Sequence, residues 1–84
     1  VLSSKLLTLK GDIRSNNEDY EAAIEAYEES ADAHPSLDVE LKIAEAHYKL
    51  GDNDRAKKIV ESILDNEDAS AAVKSKSSAL KSRL

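Results

Sequence analysis

Two histidines, His34 and His47, and seventeen carboxylates are the side chains of this chain suited to acid–base or metal chemistry. The histidines stand 13 residues apart, a spacing that does not put them on one helix face. A metal site needs further ligands converging with them. His47 lies beside an apolar stripe and reads as a partly buried histidine with a local hydrogen bond. The acidic stretches "DNDRAKK" (52–58) and "DNEDAS" (65–70) lack the mid-loop glycine and late glutamate of a calcium loop, and read as helix N-termini. Glu21, Glu25, Glu28, Glu29 and Asp32 follow the outer face of a helix, where no apolar pocket perturbs them toward acid–base work. A phosphate loop needs clustered glycine, and Gly11 and Gly51 are isolated. Cysteine is absent, so disulfides and thiolate metal sites are excluded. The expectation is a protein that is not an enzyme and holds no cofactor or metal.

Charge and hydropathy narrow the field further. Net charge is −5, against the basic surface that phosphate contacts require, so no nucleic acid is expected as partner. No apolar run is long enough to cross a bilayer and no export signal is visible at the N-terminus; the expectation is a soluble chain with no membrane partner, cytoplasmic if natural. All acids lie at or before Asp68. Lys74, Lys76, Lys81 and Arg83 follow with no acid among them, a pattern that suits the C-terminal end of a solvated helix.

The elements that must position these residues are helices. Eighty-four residues make one small domain, expected as a monomer. Apolar periodicity is helical almost throughout. Five stripes follow in order: Leu2, Leu6, Leu9 and Ile13; Tyr20, Ala23, Ile24, Tyr27 and Ala31; Val39, Ile43, Ala46 and Leu50; Ala56, Ile59, Val60, Ile63 and Leu64; and a weaker one of Val73, Leu80 and Leu84 with Ala69, Ala72 and Ala79. Asn16 and Asn17 are the expected caps of the second helix, Ser36 of the third, and Asp52 or Asn53 of the fourth. His34 before Pro35 must leave helical geometry, and Gly51 suits a left-handed helix end. The fold class is all-α, with about five antiparallel helices.

At a shift of 33 the chain matches itself: Asp19 pairs with Asp52, Ala23 with Ala56, and Tyr27 with Val60. Gly11, Ala44 and Ser77 form a row of small residues that lets helix backbones approach, with Tyr27 and Val60 filling the space beside them. Helical hairpins that cannot bury both faces alone close their core by stacking.

In its Leu7, Gly11, Ala23, Tyr27 and Pro35 the chain resembles the tetratricopeptide repeat family. A second unit resembles it through Ile43, Ala44, Tyr48, Gly51, Asp52 and Ala56. More loosely, the layout is similar to the helical half of bacterial thioredoxin-fused chaperones. The resemblance implies one repeat at about 4–36, a second at 37–68 and a capping helix at 69–84. It also implies a non-catalytic scaffold whose first helices line a concave groove for a short peptide or helix. Carried over residue by residue, that groove takes in Thr8, Asp12, Leu41, Lys42, Glu45, Tyr48 and Lys49. Leu41 and Tyr48 are expected as its apolar contacts, while Lys42 and Lys49 favour an acidic partner. Asp12 would repel a peptide's terminal carboxylate. The absence of Phe, Trp, Met and Cys also fits an alternative, a designed helical repeat with no biological ligand.

Overall fold

The computed structural model describes residues 3–84. Five helices follow one another: α1 (Ser4–Asn16), α2 (Tyr20–Ala33), α3 (Leu37–Lys49), α4 (Asn53–Leu64) and α5 (Ala71–Lys81). Among the described residues there is no strand. Helices α1 and α2 pack as one hairpin and α3 and α4 as another; α2 packs on α3, and α5 covers α4 and part of α3.

The turns repeat as closely as the sequence does. Glu18 and Gly51, paired by the shift of 33, both take the left-handed conformation, with φ of 62° and 84°. The Asp19 N–H donates to the Arg14 carbonyl, and the Asp52 N–H donates to the His47 carbonyl, both at 2.9 Å. These bonds satisfy helix-end carbonyls that would otherwise lack partners. Each turn then hands over to an aspartate cap. Asp19 Oδ1 accepts from the Ala22 N–H and Asp52 Oδ1 from the Arg55 N–H. The expectation that Asn16 and Asn17 cap α2 is corrected. α1 runs through Asn16, Asn17 ends it, and the reversal at Glu18 leaves Asp19 as the residue that can reach the free N–H groups. Ser36 stands at the N-cap of α3 without a side-chain bond, and Ser70 caps α5. His34 is extended before Pro35, as expected.

The interior consists of two apolar clusters. Ala23, Ile24 and Tyr27 of α2 meet Val39, Ile43 and Ala46 of α3. Leu41 and Ala44 of α3 meet Val60, Ile63, Val73 and Leu80. Ile59 packs against both.

Helix α1 departs from its expected stripe. Leu7 and Gly11 are its buried residues, while Leu6, Leu9 and Ile13 are each more than half exposed; Leu2 lies outside the described residues. The buried face is short of apolar atoms because it is built for closeness and hydrogen bonding. A Cβ on Gly11 would stand 2.5 Å from Cδ1 of Tyr27, so only glycine admits that ring. Beside it, the Thr8 hydroxyl donates to the Ser4 carbonyl at 2.9 Å, the Ser30 hydroxyl reaches the same carbonyl at 2.8 Å, and the two hydroxyls stand 2.7 Å apart. With one proton on each hydroxyl, two of these three bonds form at a time.

In α5 the buried face is Val73, Ser77 and Leu80, whereas Ala72 and Ala79 are exposed. Val73 and Ser77 keep the register of Leu7 and Gly11 two shifts earlier, and Val73 and Leu80 enter the second cluster with residues of α3 and α4.

Candidate functional site

Three side chains meet where α1, α2 and α3 come together. Asp12 reaches them from α1, one residue after the close approach at Gly11. Tyr27 donates its hydroxyl proton to Asp12 Oδ1 at 2.6 Å. Lys42 of α3 donates to both carboxylate oxygens, at 2.9 and 3.0 Å, and its Nζ stands 5.9 Å from the centre of the Tyr27 ring. Burial raises the Asp12 carboxyl, but the hydrogen bonds from Tyr27 and Lys42 and the charge of Lys42 outweigh it and hold the group below its ordinary 3.8. Burial pushes the Tyr27 hydroxyl up, and its hydrogen bond to Asp12 with the nearby charges of Asp12 and Glu45 pushes it further the same way. Tyr27 is therefore a neutral donor and Asp12 a charged acceptor at neutral pH. Asp12 and Lys42 pair their charges with each other, and two of the three Lys42 N–H donors are spent on that carboxylate.

This triad floors a cleft of about 590 Å³ bordered by Asp12, Asn16, Glu18, Tyr20, Glu45 and Lys49, among others. Of the residues expected in the groove, the fold brings Asp12, Lys42, Glu45 and Lys49 to this cleft. It sends the other three elsewhere. Thr8 is partly buried in the α1–α2 seam against Ser30. Leu41 is buried in the second cluster at 4% exposure, a correction of its expected place at the surface. Tyr48 packs against that same cluster and is only partly exposed. The reason is helical geometry: Leu41 and Ala44 share the side of α3 turned to α4 and α5, while Lys42, Glu45 and Lys49 share a side about 100° round the helix from it. Lys42 is bound to Asp12, so of the two lysines expected to draw an acidic partner only Lys49 is outside an ion pair among the described residues.

A second cleft, of about 690 Å³, opens between α2, α3 and α4. Ile24, Ile43 and Ile59 are its apolar lining, Glu21, Glu28 and Glu40 stand along it from α2 and α3, and Arg55 and Lys58 from α4. Sequence reasoning assigned these isoleucines to the core and missed that their edges reach a cleft; oppositely charged residues on facing helices were the available signal. His47 also lines this cleft. It is partly buried, and its Nδ1 stands 3.8 Å from Asp52 Oδ2, too far for the local hydrogen bond expected of it. Among the described residues no three potential metal ligands converge.

Stacked helical hairpins presenting clefts, with a polar network that joins three helices, define an α-helical repeat of the interaction-scaffold class. A family model of the tetratricopeptide repeat matches residues 16–84, and the chain belongs to that family. Repeats of this family are generally non-catalytic interaction modules. Comparisons with curated proteins and with solved structures returned no match.

Proposed function

We propose that this chain is a non-catalytic scaffold that receives a short peptide or helix in the cleft above Asp12, Tyr27 and Lys42. The observation that carries the reading is the triad. It fixes α1 against α3 and supplies a rigid floor, so a ligand does not have to order it. The contacts left for a ligand are Glu18, Glu45 and Lys49 at the sides and the partly exposed Tyr20. They suit a segment of mixed charge better than a purely acidic one. Two repeats offer limited area, and the affinity is expected to be micromolar or weaker, about −8 kcal/mol at best.

The test is selection from a random peptide library, followed by NMR mapping of the selected peptide on the labelled protein. Shifts should cluster on residues 12–20 and 42–49. The exposed pair Glu45→Lys and Lys49→Glu should abolish binding without moving the melting temperature. Shifts centred instead on Ile24, Ile43 and Ile59 would transfer the role to the second cleft, a reading favoured by its larger volume and isoleucine lining. Failure to select any peptide would leave the ligand-free alternative standing.

A further inference from the structure

We propose that the outward face of α1 docks an acidic amphipathic helix supplied by another polypeptide. Leu6, Leu9 and Ile13 are 52%, 54% and 53% exposed and lie on one stripe, on the side of α1 away from Leu7 and Gly11. Helix α1 has α2 as its only extensive neighbour, and nothing among the described residues covers that stripe. A contiguous apolar ridge of this kind marks a contact surface.

The chain carries its own template for what fits there. The shift of 33 takes Leu6 onto Val39 and Ile13 onto Ala46, and these two residues of α3 pack against Ala23, Ile24 and Tyr27 of α2. The face of α1 is therefore in the register that, one unit later, receives a helix. The helix received, α2, carries Glu21, Glu25, Glu28, Glu29 and Asp32 and no Lys or Arg. On α1 the stripe is flanked by Lys5 on one side and by Lys10 and Arg14 on the other. All three are exposed, and none is in an ion pair among the described residues. Apolar register and charge thus ask for the same occupant: a helix with an apolar stripe and acidic flanks. A second copy's α1 would oppose these cations with its own, and its α2 has its apolar side committed within its own fold. This surface is not the cleft of the proposed function, and the inference stands whether or not that cleft binds.

The probe is a capped synthetic peptide with the sequence of residues 19–34, titrated into the labelled full chain and followed by NMR. Saturable shifts are expected on residues 5–14, centred on Leu6, Leu9 and Ile13. Lys10→Glu with Arg14→Glu should weaken binding by about tenfold or more, equivalent to about 1.4 kcal/mol, and remove most of its salt dependence. Leu9→Lys with Ile13→Lys should abolish binding while circular dichroism stays unchanged, since both positions are exposed. The same peptide with its acids changed to amides should bind more weakly than the acidic one, though less weakly than the acidic peptide binds the charge-reversed protein, where like charges meet. The proposal is overturned by shifts confined to Gly11 and α3, which mean the peptide has displaced α2. It is overturned equally by no saturable shift on α1, or by an amide-substituted peptide that binds as well as the acidic one. Two further outcomes reassign the face: dimerisation of the free protein lost on Leu9→Lys with Ile13→Lys, and docking of α1 on phosphatidylserine vesicles in preference to the peptide.

Discussion

The two hairpins share turns, caps and register, yet their seams are made of different matter. In the first, Thr8 faces Ser30 and Gly11 admits the Tyr27 ring. In the second, the equivalent positions are Leu41 with Ile63 and Ala44 with Val60, all buried and apolar. One unit is joined by hydrogen bonds and a single close approach, the other by a dry core that α5 completes. The repeat specifies geometry first, and either chemistry can fill it. Burial of apolar area favours the second hairpin energetically, since a buried hydrogen bond contributes about 1 kcal/mol net while a buried Leu or Ile contributes about 1.5–3 kcal/mol.

The second seam should suffer most from loss of its cover. Ending the chain after Asp68 removes Val73 and Leu80, each worth about 1.5–3 kcal/mol of burial, and uncovers Val60 and Ile63. The shortened chain should melt far lower or self-associate, as read by calorimetry and size-exclusion chromatography. An unchanged melting temperature would make α5 an appendage. The first seam should instead be most sensitive to a single methyl group. Gly11→Ala must displace a ring that is buried and tied at its hydroxyl, at a cost of about 1–3 kcal/mol, measured by urea denaturation. The adjoining Gly11-to-Tyr27 fit would be refuted by wild-type stability.

The paired turns allow a finer test. Gly51→Ala forces a Cβ into the left-handed region and should cost about 1 kcal/mol, and Glu18→Gly at the equivalent position should gain about as much. Thr8→Val or Ser30→Ala alone should cost less than about 1 kcal/mol, because the remaining hydroxyl still reaches the Ser4 carbonyl. Pairing the two substitutions removes both hydroxyl donors to the Ser4 carbonyl and should cost more than the sum of the single changes. The smallest effect is one of pH. The Asp12 carboxyl sits below its ordinary 3.8, so the stability it contributes is complete above that value and is lost as pH falls through the lower folded value. Asp12→Asn should flatten the acid limb of the stability profile relative to wild type, by a modest amount because the side chain is more than one-third exposed.

Helix number, the proline-directed stop after α2, the left-handed glycine and the register of 33 could all be read from residue spacing, because each depends on local backbone chemistry. The face of α1 could not be read from periodicity, which selects the most apolar stripe, here Leu6, Leu9 and Ile13. What is buried instead is the side that a tyrosine ring and two hydroxyls can approach. The Leu7–Gly11 spacing behind the family resemblance marks that correct side. Leu41 was misplaced because the groove was carried over from the family resemblance, which put it with Thr8 where both positions are seams. The ion triad is a long-range feature. Asp12, Tyr27 and Lys42 are separated by 15 residues or more, and only the crossing of three helices brings them together.

Ile59 belongs to neither hairpin's interior alone, since both apolar clusters rest on it. In a stack of repeats, cooperativity depends on how strongly neighbouring units are coupled relative to their own stability. Here that coupling runs through the α2–α3 contact and this one side chain. The chain is a short one-dimensional lattice with a single strong link, and its openings should be graded along it. Amide exchange should be slowest in α3 and α4 around Ile59 and fastest in α1, which can release from α2 without disturbing the second cluster.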